Sequence, residues 1–219
     1  MSDTVTHHIE TKKTGRFFTL GNLGSQTNHI WLVLHGYGQL GEFFIRNFKI
    51  INNEENFIIA PEALSRFYLN ETAGRTGASW MTKEDREYEI KDYLHYLDTV
   101  MNSLEIPVNC KIHVLGFSQG AATACRWAMH TEKPINTLIS WAGFFPPDMK
   151  WTSPKYTNNA LSAYLLYGTN DEYVKDDLKK QMENVISTIE KKPNIIIFEG
   201  KHEIIESTLY TLYKSIENT

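Results

Sequence analysis

Cysteine is scarce: the 219-residue sequence holds Cys110 and Cys125 and no others. One such pair, without CxxC spacing, builds neither a disulfide framework nor a cysteine zinc site. Both read as core or near-core thiols. Long apolar runs are also missing. No stretch approaches the roughly 18 residues that a membrane span needs, and the opening MSDTVTHHIETKK is polar, without the apolar segment of a signal peptide. The expectation is a cytoplasmic protein with no stable membrane insertion. Positive charge is not in excess either. Lys and Arg number 22 against 26 Asp and Glu, the net charge is -4, and no basic block occurs, so no nucleic-acid partner is expected. Repeats and low-complexity tracts are absent. What is present is 42% apolar residues, enough for the core of a single domain over residues 1–219.

One stretch organises the rest, KIHVLGFSQG from Lys111 to Gly120. Its first half, with Ile112, Val114 and Leu115, reads as a buried strand. Its second half is a G-x-S-x-G, Gly116 to Gly120, and AATACRWAM follows in small, helix-favouring residues. A serine between a strand and a helix, flanked by two glycines, fits a turn too tight for side chains at those glycine positions. Such a turn lifts the hydroxyl into a cleft and aims the helix N-terminal amides at it.

Around this centre the chain alternates. Thr6 to Lys12 and Arg16 to Leu20 predict an N-terminal antiparallel hairpin through Lys13-Thr14-Gly15. His7 and His8 would point to opposite faces of such a strand, which argues against a metal site. Ile30 to Leu34 predicts a central strand, ending in His35-Gly36-Tyr37-Gly38-Gln39, where open α/β sheets place ligands. His35 reads as a structural residue under that loop. Phe43 to Ile51 predicts a helix and Phe57 to Ala60 a strand. Glu62 to Met81 reads as a long irregular segment whose Phe67, Tyr68 and Trp80 wall the cleft or fold the loop onto the body. Its Arg66 and Arg75 meet an anionic substrate group or are solvated or paired. Thr82 to Asp85 resembles a capping box, and Ile90, Leu94, Leu97, Met101 and Leu104 share a helix face. Strands are expected at Leu138–Trp141, Ala163–Tyr167 and Ile195–Phe198, with helices at Val174–Lys191 and Ile204–Ile216. The fold class is α/β: a mostly parallel sheet with an N-terminal antiparallel hairpin, helices on both faces and no separate cap domain.

Three reactive residues then fall at carboxyl ends of predicted strands: Ser118, Asp171 and His202. A serine hydroxyl needs a base to attack at neutral pH. His202, the histidine that follows the last strand, can take and return that proton. The imidazolium needs an oriented anion, which Asp171 can supply. Asp148, after an earlier strand, is the alternative acid, and the adjacent Glu172 is expected to point elsewhere. A tetrahedral oxyanion needs two donors, assigned to the backbone N–H groups of Tyr37 and Gln119. Trp80, Phe144 and Tyr173 are candidates for the substrate-binding wall.

With LHGYG (Leu34–Gly38), GASW (Gly77–Trp80), LGFSQG (Leu115–Gly120), YGTNDEYV (Tyr167–Val174) and GKHEI (Gly200–Ile204), the chain resembles the small, cap-less carboxylesterase/phospholipase branch of the α/β-hydrolases. That branch includes acyl-protein thioesterases and lysophospholipases. The order Ser…Asp…His is that of the superfamily. The resemblance carries the serine to Ser118, the acid to Asp171, the base to His202 and the oxyanion amides to Tyr37 and Gln119. Three positions depart from the family pattern: Glu172 where proline is common, Lys201 where glycine is common, and Tyr37 where leucine is common. They leave the triad intact and fall where the acyl pocket is set. The implied activity is cleavage of carboxylic esters, thioesters included, through an acyl-serine. A small-molecule ester is the implied substrate, with no metal and no organic cofactor, in a monomer or homodimer. The readings set against it are a silent binding or sensing module on the same fold, and a peptidase or acyltransferase using the same triad.

Overall fold

A computed structural model describes residues 4–70, 73–151 and 161–217. Alternation along β2, His29–Leu34, sets the layering. Successive side chains of a strand leave opposite faces. Ile30, Leu32 and Leu34 enter one core cluster, and Trp31 and Val33 enter another. The first core contains residues of α2 (Arg86–Asn102), α3 (Gln119–His130) and α4 (Asp176–Thr188). The second contains residues of the short α1 (Gly41–Phe44), the 3-10 turns Ile45–Ile51 that continue it, and α5 (Glu206–Glu217). The result is a sheet with helices on both faces.

Among the described residues this sheet has seven strands, in the order β1-β3-β2-β6-β7-β8-β9. They are β1 (Phe17–Leu20), β2, β3 (Asn56–Pro61), β6 (Lys111–Phe117), β7 (Thr137–Trp141), β8 (Ser162–Gly168) and β9 (Asn194–Phe198). All neighbours pair in parallel except β1 with β3. The chain order reverses at β2, with β3 on one side and β6 on the other. Ligands of open α/β sheets bind at the carboxyl ends beside such a switch, and Ser118 stands at the end of β6.

Several local expectations are corrected. The N-terminal antiparallel hairpin does not form. β1 pairs antiparallel with β3, and Thr6 to Lys12 crosses α2 as irregular chain. That segment has no apolar face to bury, since Val5 and Ile9 are both exposed. It is held by polar contacts instead, His8 with Asp85 and Glu10 with Lys91, and His8 stacks on Tyr88. A hairpin does occur elsewhere: β4 (Ser65–Tyr68) and β5 (Thr76–Ser79) pair antiparallel inside the segment read as irregular. Glu71 and Thr72 lie outside the described residues, as do residues 152–160 between β7 and β8. The capping box is absent too. Asp85 is left-handed (φ 47°) with no side-chain cap, and Glu89 takes the Thr82 N–H instead.

Candidate active site

β6 ends at Phe117 and α3 begins at Gln119, so Ser118 alone carries the reversal. Its backbone sits at φ 54°, ψ -118°, outside the regions that L-residues favour. Strain of this kind costs about 1–3 kcal/mol. It is offset locally by burial of Leu115 and Phe117, each contributing about 1.5–3 kcal/mol. The turn is clamped on both sides: the Ser118 N–H donates to the Trp141 carbonyl at 2.9 Å, and the Ser118 carbonyl accepts from the Ala121 N–H at 3.0 Å. The flanking glycines are steric requirements. A Cβ at Gly116 would collide with the Gly120 carbonyl, and one at Gly120 with the Leu34 and His35 carbonyls.

The loops after β8 and β9 bring the other two residues to Ser118. Those loops are joined by Thr169 N–H to Phe198 O (2.8 Å) and Asn170 N–H to Gly200 O (2.9 Å). His202 Nδ1 lies 2.8 Å from Asp171 Oδ2, and its Nε2 lies 2.9 Å from Ser118 Oγ. The Asp171 side chain is fully buried and that of His202 is 16% exposed. The second carboxylate oxygen of Asp171 accepts the Tyr173 N–H at 2.9 Å. An ionised carboxylate only accepts, so the imidazole proton belongs on Nδ1 and Nε2 is left to accept from the serine hydroxyl. The imidazole ring is flanked by Phe117 (centroids 5.0 Å apart) and Tyr173 (4.5 Å).

Across from the imidazole, the loop after β2 spends its amides selectively. Gly36 N–H goes to Gln39 Oε1, Gly38 N–H to the Ala78 carbonyl and Gln39 N–H to the Gly36 carbonyl. Among the described residues, the backbone N–H groups of Tyr37 and Gln119 have no acceptor. One of these unspent amides is at the positive end of α3, and the other follows Gly36, which lies against the Ser118 side chain; unspent amides of this kind suit a developing negative charge.

His35 is structural, as its sequence context suggests. It is buried, donates Nδ1–H to the Gly36 carbonyl at 2.7 Å and accepts the Ala63 N–H at Nε2 (3.0 Å). Burial lowers its pKa to about 4, which keeps it neutral, and its two hydrogen bonds pin the loop after β2.

Of the three candidate wall residues, Tyr173 is 61% exposed and stands over the His202 ring. Phe144 is half-buried against the first core. Trp80 does not wall the cleft: it is 3% exposed, packs on Tyr93 and His35, and gives its indole N–H to the His35 carbonyl. Asp148 is not near the base. Its carboxylate is bound by Arg86 (2.7 Å) and Arg126 (3.0 Å). Arg66 pairs with the buried Glu62. Arg75 is exposed, beside Leu40 and Phe43 on a cleft of about 620 Å³ that no triad residue lines.

A model of the phospholipase/carboxylesterase family matches residues 22–219. The chain belongs to this family. Membership supports a hydrolase. No curated protein is significantly similar to it in sequence. Solved structures share the fold at low identity. Acyl-protein thioesterase 2 of Zea mays is 16% identical, with a TM-score of 0.73 over 94% of this chain and 99% of that one. A carboxylesterase of Mesorhizobium loti is 12% identical, with a TM-score of 0.70 over 94% and 97%. The Bacillus cereus carboxylesterase is 15% identical, with a TM-score of 0.65 over 93% and 94%. Among the described residues of this family member, no helix is long and apolar enough to cross a membrane.

One side-chain role is not legible in the motifs. The Gln119 side chain accepts the Trp80 N–H at 3.0 Å and donates to the Met81 carbonyl at 2.8 Å. It ties the end of the β4–β5 hairpin to the first residue of α3. The available signal is a polar amide side chain directly after Ser118, at the start of a helix packed on the body.

Proposed function

We propose that the chain, as a single domain over residues 1–219, is a serine hydrolase that cleaves carboxylic esters, thioesters included, through an acyl-serine on Ser118. The observation that carries this reading is the continuous chain Asp171–His202–Ser118, with contacts of 2.8 and 2.9 Å ending on a hydroxyl held at positive φ. As Ser118 Oγ attacks the carbonyl carbon, its proton moves to His202 Nε2 and the carbonyl electrons move onto oxygen. The Tyr37 and Gln119 amides meet that oxyanion, and buried Asp171 stabilises the imidazolium through Nδ1–H. Collapse of the intermediate breaks the bond to the leaving group, which takes the proton from Nε2. Water then attacks the acyl-serine with Nε2 as base, and the carboxylic acid leaves with Ser118 restored. The substrate is a small-molecule ester, and no step calls on a metal or organic cofactor.

Fluorophosphonate labelling followed by peptide mapping tests the reading, together with turnover of p-nitrophenyl acetate. Label is expected on Ser118, and Ser118→Ala is expected to abolish both label and turnover. Label on another residue, or undiminished turnover in the variant, contradicts it. Product analysis with an added alcohol or amine separates hydrolysis from acyl transfer.

A further inference from the structure

The two edges of the sheet are finished differently. β1 is four residues long, exposes none of its large apolar side chains, and is flanked by Arg16, whose carbonyl is taken by the Tyr96 hydroxyl and the Glu62 N–H. β9, at the opposite edge, pairs only with β8 among the described residues. It reads Asn-Ile-Ile-Ile-Phe, and Ile195 and Ile197 are 50% and 55% exposed. Edge strands are ordinarily blunted by charge, proline or a bulge. Within β9 there is none of these, and its register with β8 is unbroken.

The direction of its main-chain groups is readable. The Phe198 carbonyl accepts from Thr169, on the β8 side. Successive residues of a strand alternate, so Ile196 also turns its N–H and C=O toward β8, whereas Ile195 and Ile197 turn theirs to the open edge. The same alternation puts the Ile196 side chain on the second core and the Ile195 and Ile197 side chains on the face that α4 covers incompletely.

We propose that β9 is a homodimerisation edge, at which two copies pair β9 with β9, antiparallel, about a two-fold axis at Ile196, to make one continuous sheet. In this register Ile195 of each copy faces Ile197 of the second copy. Both are residues with outward N–H and C=O, so each pair exchanges both hydrogen bonds of an antiparallel bonded pair. The exposed isoleucines meet as direct cross-strand neighbours on one face. The edge is therefore self-complementary, as an isologous contact requires. Glu199 of one copy also falls one position from Lys192 of the other.

Neighbouring registers are poorer. A two-fold axis keeps like faces together, so the register moves in steps that preserve face. Moving the axis to Ile195 sets Ile197 opposite Pro193, which has no N–H to give. Moving it to Ile197 sets Ile195 opposite the Glu199 carboxylate.

Sedimentation velocity over a concentration series tests this, with ester turnover per protomer measured alongside. The wild-type chain is expected to sediment as a dimer that dissociates on dilution. Ile195→Lys/Ile197→Lys is expected to sediment as a monomer that retains turnover, since neither residue belongs to the triad or the oxyanion loop. Where the lysine pair misfolds, Ile195→Thr/Ile197→Thr keeps β-branched side chains and is expected to raise the dimer Kd at least tenfold. Register is read by oxidation: Ile196→Cys is expected to form an intersubunit disulfide more readily than Ile195→Cys or Ile197→Cys. A wild-type monomer at every concentration overturns the proposal. So does a dimer unaffected by both double variants, which would mean another surface is used. Preferential cross-linking at Ile195→Cys or Ile197→Cys overturns the axis at Ile196.

Discussion

Histidine is used at both ends of the sheet. At the carboxyl ends, His202 is held between Asp171 and Ser118. Toward the amino ends, His113 is held between His29 (2.9 Å) and the Thr137 hydroxyl (2.9 Å), with Trp31 stacked on its ring. Both arrangements join an imidazole to a hydroxyl at near-identical distance. They differ in everything else that chemistry needs. His113 is fully buried and its other neighbour is a second imidazole, so there is no anion to stabilise an imidazolium and no opening for substrate. Burial first, then the charges of His29 and Lys111, lower its pKa to about 3. His202 has a buried carboxylate behind it, partial exposure in front, and unspent backbone amides across the serine. A hydroxyl–imidazole contact is therefore a structural device until an anion, an entrance and an oxyanion site are added.

The largest test of this contrast exchanges the two histidines for glutamine. His202→Gln is expected to lower kcat/KM for p-nitrophenyl acetate on the order of 10⁴-fold or more, because base and acid are lost together. His113→Gln, which keeps hydrogen-bonding atoms in the buried chain, is expected to change kcat/KM less than threefold in the folded protein, roughly 0.6 kcal/mol of barrier. Comparable losses in both would erase the distinction.

A smaller effect is expected at Gln119. Gln119→Ala leaves the backbone N–H in place but unties Trp80 and Met81 from the start of α3. Loss of these bonds, each worth about 0.5–1.5 kcal/mol, is expected to lower kcat roughly tenfold and to bring a lower melting temperature. An unchanged kcat would show that the side chain positions nothing.

A separate effect, with no change in the reaction itself, is on stability against pH. His113 and His35 have folded pKa values of about 3 and about 4, below the ordinary 6.5. Between those values and 6.5 the unfolded chain binds more protons than the folded one, so stability is complete above pH 6.5 and is lost as pH falls. Each histidine contributes a slope of about 1.4 kcal/mol per pH unit within its window. Urea unfolding at pH 7, 6 and 5 is expected to show this decline, and His113→Gln is expected to flatten it. A flat profile in the wild type would contradict buried neutral imidazoles.

The parts of this molecule legible in its sequence are those written in short local patterns. β2 is a continuous apolar run from Ile30 to Leu34, and β6 is apolar apart from Lys111, His113 and Gly116, because both faces are buried. Ser118, Asp171 and His202 each follow such a run, and a parallel sheet gathers those ends on one rim. The β4–β5 hairpin is obscured because Ser-Arg-Phe-Tyr and Thr-Gly-Ala-Ser are too short to show a period. The N-terminal segment alternates without an apolar face, and so resembles a strand that has nothing to pack on. Long-range polar partners leave no local trace. Gln119 and Trp80 are 39 residues apart, and Arg86 and Asp148 are 62 apart, so Trp80 reads as a cleft aromatic and Asp148 as a candidate acid until tertiary structure assigns them.

The most direct measurement is rapid acid quench of the wild-type chain with p-nitrophenyl acetate, followed by peptide mass analysis. The expected result is an acetyl group on the Ser118 peptide, formed with the first burst of p-nitrophenol and lost as substrate is exhausted. Steady turnover with Ser118 unmodified throughout, or acetyl carried by a different residue, would contradict a Ser118 nucleophile.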